Sequence, residues 1–309
     1  EAIKAVTELG ASTKRVCVCT DDRDADDLFT FGMNWVVTEA IKAGIDLPTA
    51  WSMGSLHPAT RYAMDGDFGA LGHGRRADIV LLNDDLQVRN TWYGGELVVE
   101  DGKVTPELDE QLSKQRYQYP QKAYETVNMP ENPSLIPEPR GGPTAVTVLR
   151  TELPGIVTLH RKATLENPSS DWSQFLKDND CCHMAVIERY GVEGNIAYGF
   201  LQNFGLREGA VASSVGHDAH NVIVAGHDEA SMSLAIETIR KSHGGVAVVQ
   251  GGQVEAFIPL PIAGLISDLR AGGVAEAASK VKAAWVKAGC SLPYMGFNLL
   301  PLSVIPEIR

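Results

Sequence analysis

Hydrophobic and polar positions divide the chain into three successive patterns. Residues 15–19 are mostly apolar, which is typical of a buried parallel strand. Apolar residues then recur at three- and four-residue spacing over residues 25–43 and predict a helix, with Gly44 just beyond its last turn. Two shorter helices are predicted next, because Pro48 and Pro58 each suit a first helical turn. The first pattern is therefore one strand followed by helices.

The second pattern has the features of β-structure. Residues 79–82 form a short apolar run that predicts a buried strand. Residues 88–93 and 96–99 flank Gly94-Gly95, which suits a two-residue hairpin turn, and Asp101-Gly102 marks the next turn. We therefore predict a small β unit in this part of the chain.

The third pattern follows a proline-rich stretch. Residues 105–143 are rich in Pro, Gln, Tyr and Glu with weak periodicity, and their end, PENPSLIPEPRGGP, is typical of a linker. Beyond it helices and strands alternate, with a second glycine hairpin in QGGQ. The predicted strands are 145–149, 184–189, 222–225, 246–249 and 254–257, and the predicted helices are 230–241 and 274–288.

These patterns predict an α/β chain with four successive segments. Residues 1–66 hold the first strand and its helices, residues 67–125 the β unit and an extension, residues 126–143 the linker, and residues 144–309 a mixed α+β domain. The chain opens with EAIKAVTELG, which looks like a helix already under way and ended by glycine. We therefore expect this chain to be the later part of a longer one.

Composition narrows the class of protein. With 309 residues and 44% hydrophobic content, the chain can form about two domains with real cores, and no stretch approaches the ~20 apolar residues of a membrane span. The net charge of −12 disfavours nucleic acid or an anionic membrane as partner, since either requires a basic surface. The five cysteines form no metal-finger spacing, so we expect reduced thiols in a cytoplasmic protein.

A run of carboxylates directly after the first predicted strand is the first candidate for chemistry. In VCVCTDDRDADD the acidic residues are Asp21, Asp22, Asp24, Asp26 and Asp27. Some of them can cap the following helix, because Asp accepts hydrogen bonds from free N–H groups and faces the positive end of the helix dipole. Alternatively, one of them is functional, since α/β folds hold their sites at the carboxyl ends of parallel strands.

A second polar constellation lies in SSVGHDAHN. Its polar residues are Ser213, Ser214, His217, Asp218, His220 and Asn221. One interpretation is a hydrogen-bonded loop that braces the domain, since each buried polar group must find a partner. The other is a lid that supplies polar groups to a substrate site or excludes water. A metal site here would need two further ligands.

The remaining polar residues are assigned to structure. Glu188 and Arg189 are predicted to form a structural pair on a strand. His57 and His73 are predicted to be structural residues in helix and loop, and the other histidines form no pattern that indicates a role.

Motifs along nearly the whole chain together resemble one family. VCVCTDD, AWSMGSLHPATRYAM and GALGHGRRADIVLL occur in the first part, and VIERYG, NFGLREGAVASSVGHDAHNVIVAG and FIPLPIAGLIS in the second. This succession resembles the C-terminal half of the bacterial adenine deaminases of the amidohydrolase superfamily. The resemblance implies the end of a (β/α)8 barrel, a small β-sandwich unit and a family-specific C-terminal α+β domain. The implied reaction is hydrolytic deamination of adenine to hypoxanthine and ammonia in purine salvage.

The resemblance also implies site residues and cofactors. Asp21 matches the metal ligand after the last barrel strand, which also carries a proton of the attacking water. Asp22 and Arg23 would orient the loop or the helix beside it, or act only as a cap and a surface ion pair. Two divalent metal ions are implied, Mn or Fe with Zn possible, together with a purine substrate and a homo-oligomeric assembly.

The chain departs from the family pattern at several positions. Asp24 and Met33 occupy places where many relatives carry His, and no His precedes Asp21. We therefore expect the other metal ligands upstream of residue 1. The alternatives are another cyclic amidohydrolase or base deaminase, and a non-catalytic remnant or binding module. A native mass near 33.3 kDa with no second polypeptide would favour the remnant.

Overall fold

A computed structural model describes residues 3–115, 117–138, 144–151, 158–165 and 172–302. These residues divide into two compact units. Unit 1 comprises residues 1–23 and 27–118, and unit 2 comprises residues 24–26 and 119–309, as far as each is described. The architecture is mixed α and β, with one sheet in each unit.

The helical part of unit 1 surrounds a small apolar core. Asp46 caps one of its helices by accepting a hydrogen bond from the Thr49 N–H at 3.1 Å, and Pro48 lies in the first turn, as predicted. The buried core residues are Val37, Ala40, Ile45, Ala50 and Met53. The helices of the first 118 residues are α1 (Lys4–Thr7), α2 (Ala25–Thr30), α3 (Met33–Lys42), α4 (Leu47–Gly54), α5 (Leu56–Arg61) and α6 (Pro106–Lys114).

The structure corrects two predictions in this part. The helix predicted over residues 25–43 is two helices, because Gly32 is extended (φ −77°, ψ −159°) and starts α3. Of the strand predicted over residues 15–19, Arg15 ends a short 3-10 helix (Thr13–Arg15), and the rest is a segment that no described strand pairs with. A strand is stabilised by hydrogen bonds to a neighbour, and here the Val18 N–H instead donates to the Met53 carbonyl at 3.0 Å.

The β part of unit 1 confirms the predicted hairpins. Its antiparallel sheet has the order β1-β2-β3-β4, with β1 (Ile79–Leu82), β2 (Val88–Tyr93), β3 (Glu96–Glu100) and β4 (Lys103–Val104). Gly94 and Gly95 have positive φ values of 59° and 92°, as a tight two-residue turn requires. This turn therefore sets the pairing of β2 with β3 next to it, with Tyr93 opposite Glu96.

Unit 2 is built on one eight-stranded sheet. Its order is β12-β11-β9-β10-β7-β8-β5-β6, and all neighbours are antiparallel except β5 and β8. The strands are β5 (Thr144–Thr151), β6 (Thr158–Leu165), β7 (Cys181–Ile187), β8 (Ile196–Gln202), β9 (Ala210–Gly216), β10 (Asn221–Gly226), β11 (Gly245–Gln250) and β12 (Gln253–Pro259). The helices are α7 (Ser173–Asn179), α8 (Glu229–Lys241), α9 (Ala271–Lys287) and α10 (Tyr294–Asn298).

Helices cover both faces of the central strands of unit 2. On one face, Val211 and Val248 share a core with Val281 of α9. On the other face, Ala212 shares a core with Ile236 of α8. Central strands that are buried on both faces explain the apolar runs in the sequence.

The proline-rich segment packs on unit 2 as far as it is described. Leu135 is completely buried, and its N–H donates to the Glu229 carboxylate at 2.7 Å. The Trp172 indole donates to the Pro137 carbonyl at 2.6 Å. The two units divide between residues 118 and 119. The rest of the predicted linker, residues 139–143, lies outside the described residues.

Two further expectations concern membrane-spanning helices and the state of the cysteines. No helix among the described residues is long and apolar enough to span a membrane. All five cysteines are free thiols, and burial raises the pKa of Cys181 to about 12. Cys181 is therefore protonated and unreactive at neutral pH.

His183 is a buried imidazole in an aromatic environment. It is 2% exposed, its ring centre lies 5.3 Å from that of Phe200, and its Nδ1 has no hydrogen-bond partner among the described residues. Burial, with a smaller contribution from His227, lowers the pKa of His183 to about 4. The folded chain thus holds this ring in its neutral form.

Acidification should destabilise the fold through His183. Between pH 6.5 and 4 this residue binds a proton in the unfolded chain but not in the folded chain, so stability falls as the pH decreases through this window. The loss should reach about 3 kcal/mol. Urea unfolding from pH 7 to 4 measures it, and His183→Leu should flatten the dependence; an equally steep slope in that variant would contradict the assignment.

Candidate functional site

Asp21 lies in an exposed turn shortly after the segment predicted as the first strand. Its backbone has a positive φ of 54°, a conformation that Asp and Asn adopt more readily than most residues. Its Oδ1 accepts a hydrogen bond from the Asp22 N–H at 2.7 Å, and no described residue donates to Oδ2. The carboxylate is therefore held by its own turn through one of its two oxygens.

Asp22 and Arg23 differ in their surroundings. Asp22 is exposed, whereas Arg23 is partly buried and donates through Nη1 to the Phe31 carbonyl at 3.0 Å. The Arg23 guanidinium also lies over the Trp35 ring, 4.9 Å from its centre. Arg23 thus holds the turn against the start of α3, which supports its structural interpretation.

The segment that follows belongs to unit 2. Asp24 is 8% exposed, and its Oδ2 lies 3.4 Å from the Lys282 Nζ. The Asp26 Oδ2 lies 2.9 Å from the same ammonium group. Ala25 between them packs against the main apolar core. Asp24 and Asp26 are therefore anchored to α9, an outcome that helix capping alone did not predict.

The two serines of the second constellation are structural. Ser213 and Ser214 are completely buried on β9, a central strand. Ser214 Oγ donates to the Gly264 carbonyl at 2.6 Å and accepts from the Gly245 N–H at 2.8 Å. Ser213 Oγ accepts from the backbone N–H two residues on at 3.1 Å. Neither hydroxyl is presented to a substrate.

Residues 217–220 form the turn of the β9–β10 hairpin and carry the remaining candidates. His217 Nδ1 lies 2.6 Å from Asp218 Oδ1, and the His217 N–H donates to the Asn298 carbonyl at 2.8 Å. The His217 and His220 rings have centres 5.4 Å apart. Asn221 opens β10 opposite Gly216. The His217–Asp218 pair is partly exposed, at 24% and 47%, so this turn is the accessible part of the constellation.

Arg189 organises this turn, although sequence reasoning assigned it only to a structural pair. It is 1% exposed and donates through Nε to the His220 carbonyl and through Nη2 to the Ala263 carbonyl. Its Nη1 donates to the carbonyl and hydroxyl of Thr126 at 2.8 and 2.9 Å. A Cβ on Gly264 would lie 2.7 Å from Nη1. Burial lowers the pKa of Arg189.

Glu188 and Arg189 do not form the pair that was predicted. The Glu188 carboxylate accepts N–H bonds from Tyr190 at 2.6 Å and Gly194 at 3.0 Å, closing the turn between β7 and β8. Burial opposes ionisation of Glu188, but these N–H donors hold its pKa below the ordinary value. The two residues therefore have separate structural roles. The feature of the sequence that indicates both roles is a pair of charged residues directly after an apolar strand.

The candidate metal ligands remain separate in this chain. Among the described residues, no group of three potential ligands includes Asp21, His217 or His220. His57, predicted to be structural, places Nδ1 2.9 Å from the Val16 carbonyl. The accessible candidates are therefore the Asp21 and Asp22 carboxylates and the partly exposed His217–Asp218 pair.

Comparison with known proteins finds similarity to adenine deaminases. Residues 156–309 match the family model for the adenine deaminase C-terminal domain. Over its whole length the chain is 58% identical to an adenine deaminase of a Bradyrhizobium species and 57% identical to one of a Chelativorans species, covering 51% of each. It is 35% identical over 317 residues to an adenine deaminase of Carboxydothermus hydrogenoformans. The chain spans about half the length of the curated relatives it matches.

Proposed function

We propose that this chain, whose residues 156–309 belong to the adenine deaminase C-terminal domain family, is the C-terminal half of an enzyme that converts adenine to hypoxanthine and ammonia. The observation that carries the proposal is the 58% identity to an adenine deaminase along the entire chain. The proposal also includes an amidohydrolase barrel that unit 1 would complete, a cytoplasmic location and a role in purine salvage.

The reaction sets clear chemical requirements. Water adds to C6 of adenine, the C6–N bond breaks, and ammonia leaves, so one water and one adenine give one hypoxanthine and one ammonia. Water must lose a proton to attack, and the leaving nitrogen must gain one. A single carboxylate near both atoms can accept the first proton and return it to the leaving nitrogen.

Asp21 is the residue of this chain that fits those requirements. Its exposed carboxylate has one oxygen without a described hydrogen bond, so it can both ligate a cation and accept a proton. Carboxylates suit manganese and iron, and Zn also accepts them. We propose two divalent ions, with the other ligands on residues outside this chain. Such an ion would supply Lewis-acid chemistry that makes water acidic enough to react near neutral pH.

Exposed apolar side chains of unit 1 support the proposal that this chain is part of a larger protein. An open hollow of about 750 Å³ lies among α3, α4, α5 and β1. Its lining includes five large apolar residues that are more than two-fifths exposed: Leu47, Tyr62, Met64, Leu71 and Val80. Soluble monomers seldom leave such continuous apolar surface uncovered. We propose that a part of the full-length enzyme outside this chain covers it.

An assay of the complete protein tests the proposed function. The protein, purified with Mn²⁺, should convert adenine to hypoxanthine, followed by the change in ultraviolet absorbance, and release one ammonia per hypoxanthine formed. Cytosine and guanine should be poor substrates. Turnover of another base in preference to adenine would contradict the proposal.

We further propose that the β9–β10 turn acts on the substrate side of the enzyme. The His217–Asp218 pair is only partly buried, and its hydrogen bond orients the imidazole at a turn that Arg189 holds in place. An oriented, accessible imidazole can bind a purine nitrogen.

Substitutions at this turn should alter kinetics more than stability. His217→Asn and His220→Gln in the complete protein should leave the melting temperature within about 2 °C, because partly exposed residues contribute little to stability. If the lost side chain contacts adenine equally in the ground state and the transition state, the variant should have a higher KM for adenine. If the contact forms only in the transition state, the variant should have a lower kcat. A large drop in melting temperature with unchanged kinetics would leave the turn a structural brace.

A further inference from the structure

An open cavity of unit 2 combines cations with hydrogen-bond acceptors. It has a volume of about 640 Å³ and lies among α7, the start of β7, the β8–β9 loop and the residue that follows β10. This volume suits a small-molecule ligand. The polar and charged residues of its described lining are Ser173, Lys177, Asp180, Arg207 and His227.

The two cations of the cavity are Lys177 and Arg207. Neither forms an ion pair with a carboxylate in the part of the chain that the structure describes. The lysines of α8 and α9, by contrast, all pair with Asp or Glu, and they are Lys241, Lys280, Lys282 and Lys287. Carboxylates are abundant in a chain with a net charge of −12. Two cations that line one cavity and still lack such a partner are suited to an anionic ligand.

Two glycines bring the loop of Arg207 against the end of α9. Gly205 and Gly289 have positive φ values of 79° and 92°, and a Cβ on Gly205 would lie only 2.4 Å from the Gly289 carbonyl oxygen. The Arg207 N–H donates to the Ala288 carbonyl at 3.1 Å, and a Cβ on Gly289 would lie 3.1 Å from Arg207 Nε. The backbone and the start of the side chain are therefore fixed, while the guanidinium forms no hydrogen bond with a described residue.

Two acceptors share the cavity with these cations. His227 donates through Nε2 to the Leu206 carbonyl at 2.7 Å, so its neutral imidazole keeps Nδ1 as an acceptor. No described residue forms a hydrogen bond with this Nδ1. Asp180 is exposed directly after α7, and its carboxylate likewise accepts no hydrogen bond from the described residues. Both groups can therefore accept hydrogen bonds from ligand hydroxyls.

We propose that this cavity binds a sugar phosphate. Lys177 and Arg207 bind the phosphate, since a phosphate monoester carries about two negative charges near neutral pH, and Asp180 and His227 accept hydrogen bonds from the sugar hydroxyls. Inorganic phosphate would leave both acceptors unused, and the Asp180 carboxylate would repel it. The proposal is independent of the deamination reaction, because every residue that it uses lies in unit 2.

Calorimetric titration of the complete protein with glucose 6-phosphate, inorganic phosphate and glucose tests the proposal. Glucose 6-phosphate should bind at least about 10-fold more tightly than either of the others, because it alone uses both the cations and the acceptors. Lys177→Met and Arg207→Met should each weaken glucose 6-phosphate binding by about 10-fold. His227→Gln keeps a donor for the Leu206 carbonyl but removes Nδ1, so it should weaken glucose 6-phosphate by about 3-fold and leave inorganic phosphate unchanged.

Matched variants separate this cavity from general charge effects. Lys241 is an exposed lysine of α8 in the same unit and pairs with Glu237, so Lys241→Met removes an equal charge away from the cavity. This variant should bind glucose 6-phosphate like the wild type. Lys177→Arg, which keeps the cation, should retain most of the affinity that Lys177→Met loses.

Four results would overturn the proposal. The first is wild-type affinity for glucose 6-phosphate in both Lys177→Met and Arg207→Met, and the second is an equal loss in Lys241→Met. The third is inorganic phosphate that binds as tightly as glucose 6-phosphate, which would indicate an anion site without sugar recognition. The fourth is a wild-type protein that binds no glucose 6-phosphate.

Discussion

Replacing Asp21 with asparagine in the complete enzyme should lower adenine turnover by at least about 10²–10⁴-fold, the range typical for loss of a general base alone. The amide cannot accept the proton of the attacking water and is a weaker ligand than a carboxylate. Asparagine is preferable to alanine because the residue has a φ of 54°, which asparagine adopts more readily than alanine. Steady-state kinetics with hypoxanthine formation as the signal measure the loss.

The same substitution at another exposed turn provides the control. Asp101 also has a positive φ, 45°, and its side chain is 75% exposed in an ion pair with Arg89. Asp101→Asn should therefore leave both turnover and melting temperature near the wild-type values. Circular dichroism and metal content of Asp21→Asn distinguish a folded protein that has lost its ligand from an unfolded one. Near-normal turnover in Asp21→Asn would remove this carboxylate from the mechanism.

Replacing Arg189 with methionine should destabilise unit 2 by about 4–5 kcal/mol. The change leaves the Thr126, His220 and Ala263 carbonyls without their buried donor, and each buried acceptor left unpaired costs about 1–3 kcal/mol. Arg189→Lys should recover only part of the loss, since an ammonium cannot reach all three carbonyls with the planar geometry of a guanidinium. Urea unfolding followed by circular dichroism measures both variants.

An exposed arginine of the same unit serves as the comparison. Arg207 is exposed, so Arg207→Met should change stability by no more than about 0.5 kcal/mol. Arg189→Met should also raise amide hydrogen exchange in the three segments that its side chain contacts. A stability of Arg189→Met close to that of Arg207→Met would show that these contacts contribute little to the fold.

Local sequence predicted the hairpins and most helices correctly. Gly251 and Gly252 have positive φ values of 56° and 74° between β11 and β12, so the QGGQ turn alone defined that hairpin. Helix α9 ends before Gly289, whose φ of 92° suits a C-terminal glycine. Such features depend on a few neighbouring residues, whose backbone preferences act before any long-range contact forms.

The strand predicted over residues 15–19 shows where local reasoning fails. Its apolar residues are those of a buried strand, and burial does alternate along it, with Val16 and Val18 packed on the unit 1 core. A strand, however, is defined by hydrogen bonds to a neighbour, and no described segment of this chain supplies one. The apolar run was thus an incorrect guide both to pairing and to full burial, since Cys17 and Cys19 are exposed and only one side of the segment packs on the core.

The sequence by itself determined the resemblance to adenine deaminases, the hairpins and the capped helices. Only the tertiary structure decided the roles of Arg189 and of the Asp24–Asp26 segment. Arg189 contacts residues 63, 31 and 74 positions away, and Lys282 lies 256 positions from Asp26. Contacts over such separations depend on how strands and helices pack, which no local propensity encodes. A buried charge in an apolar strand indicates that a partner exists, and the folded chain alone identifies it.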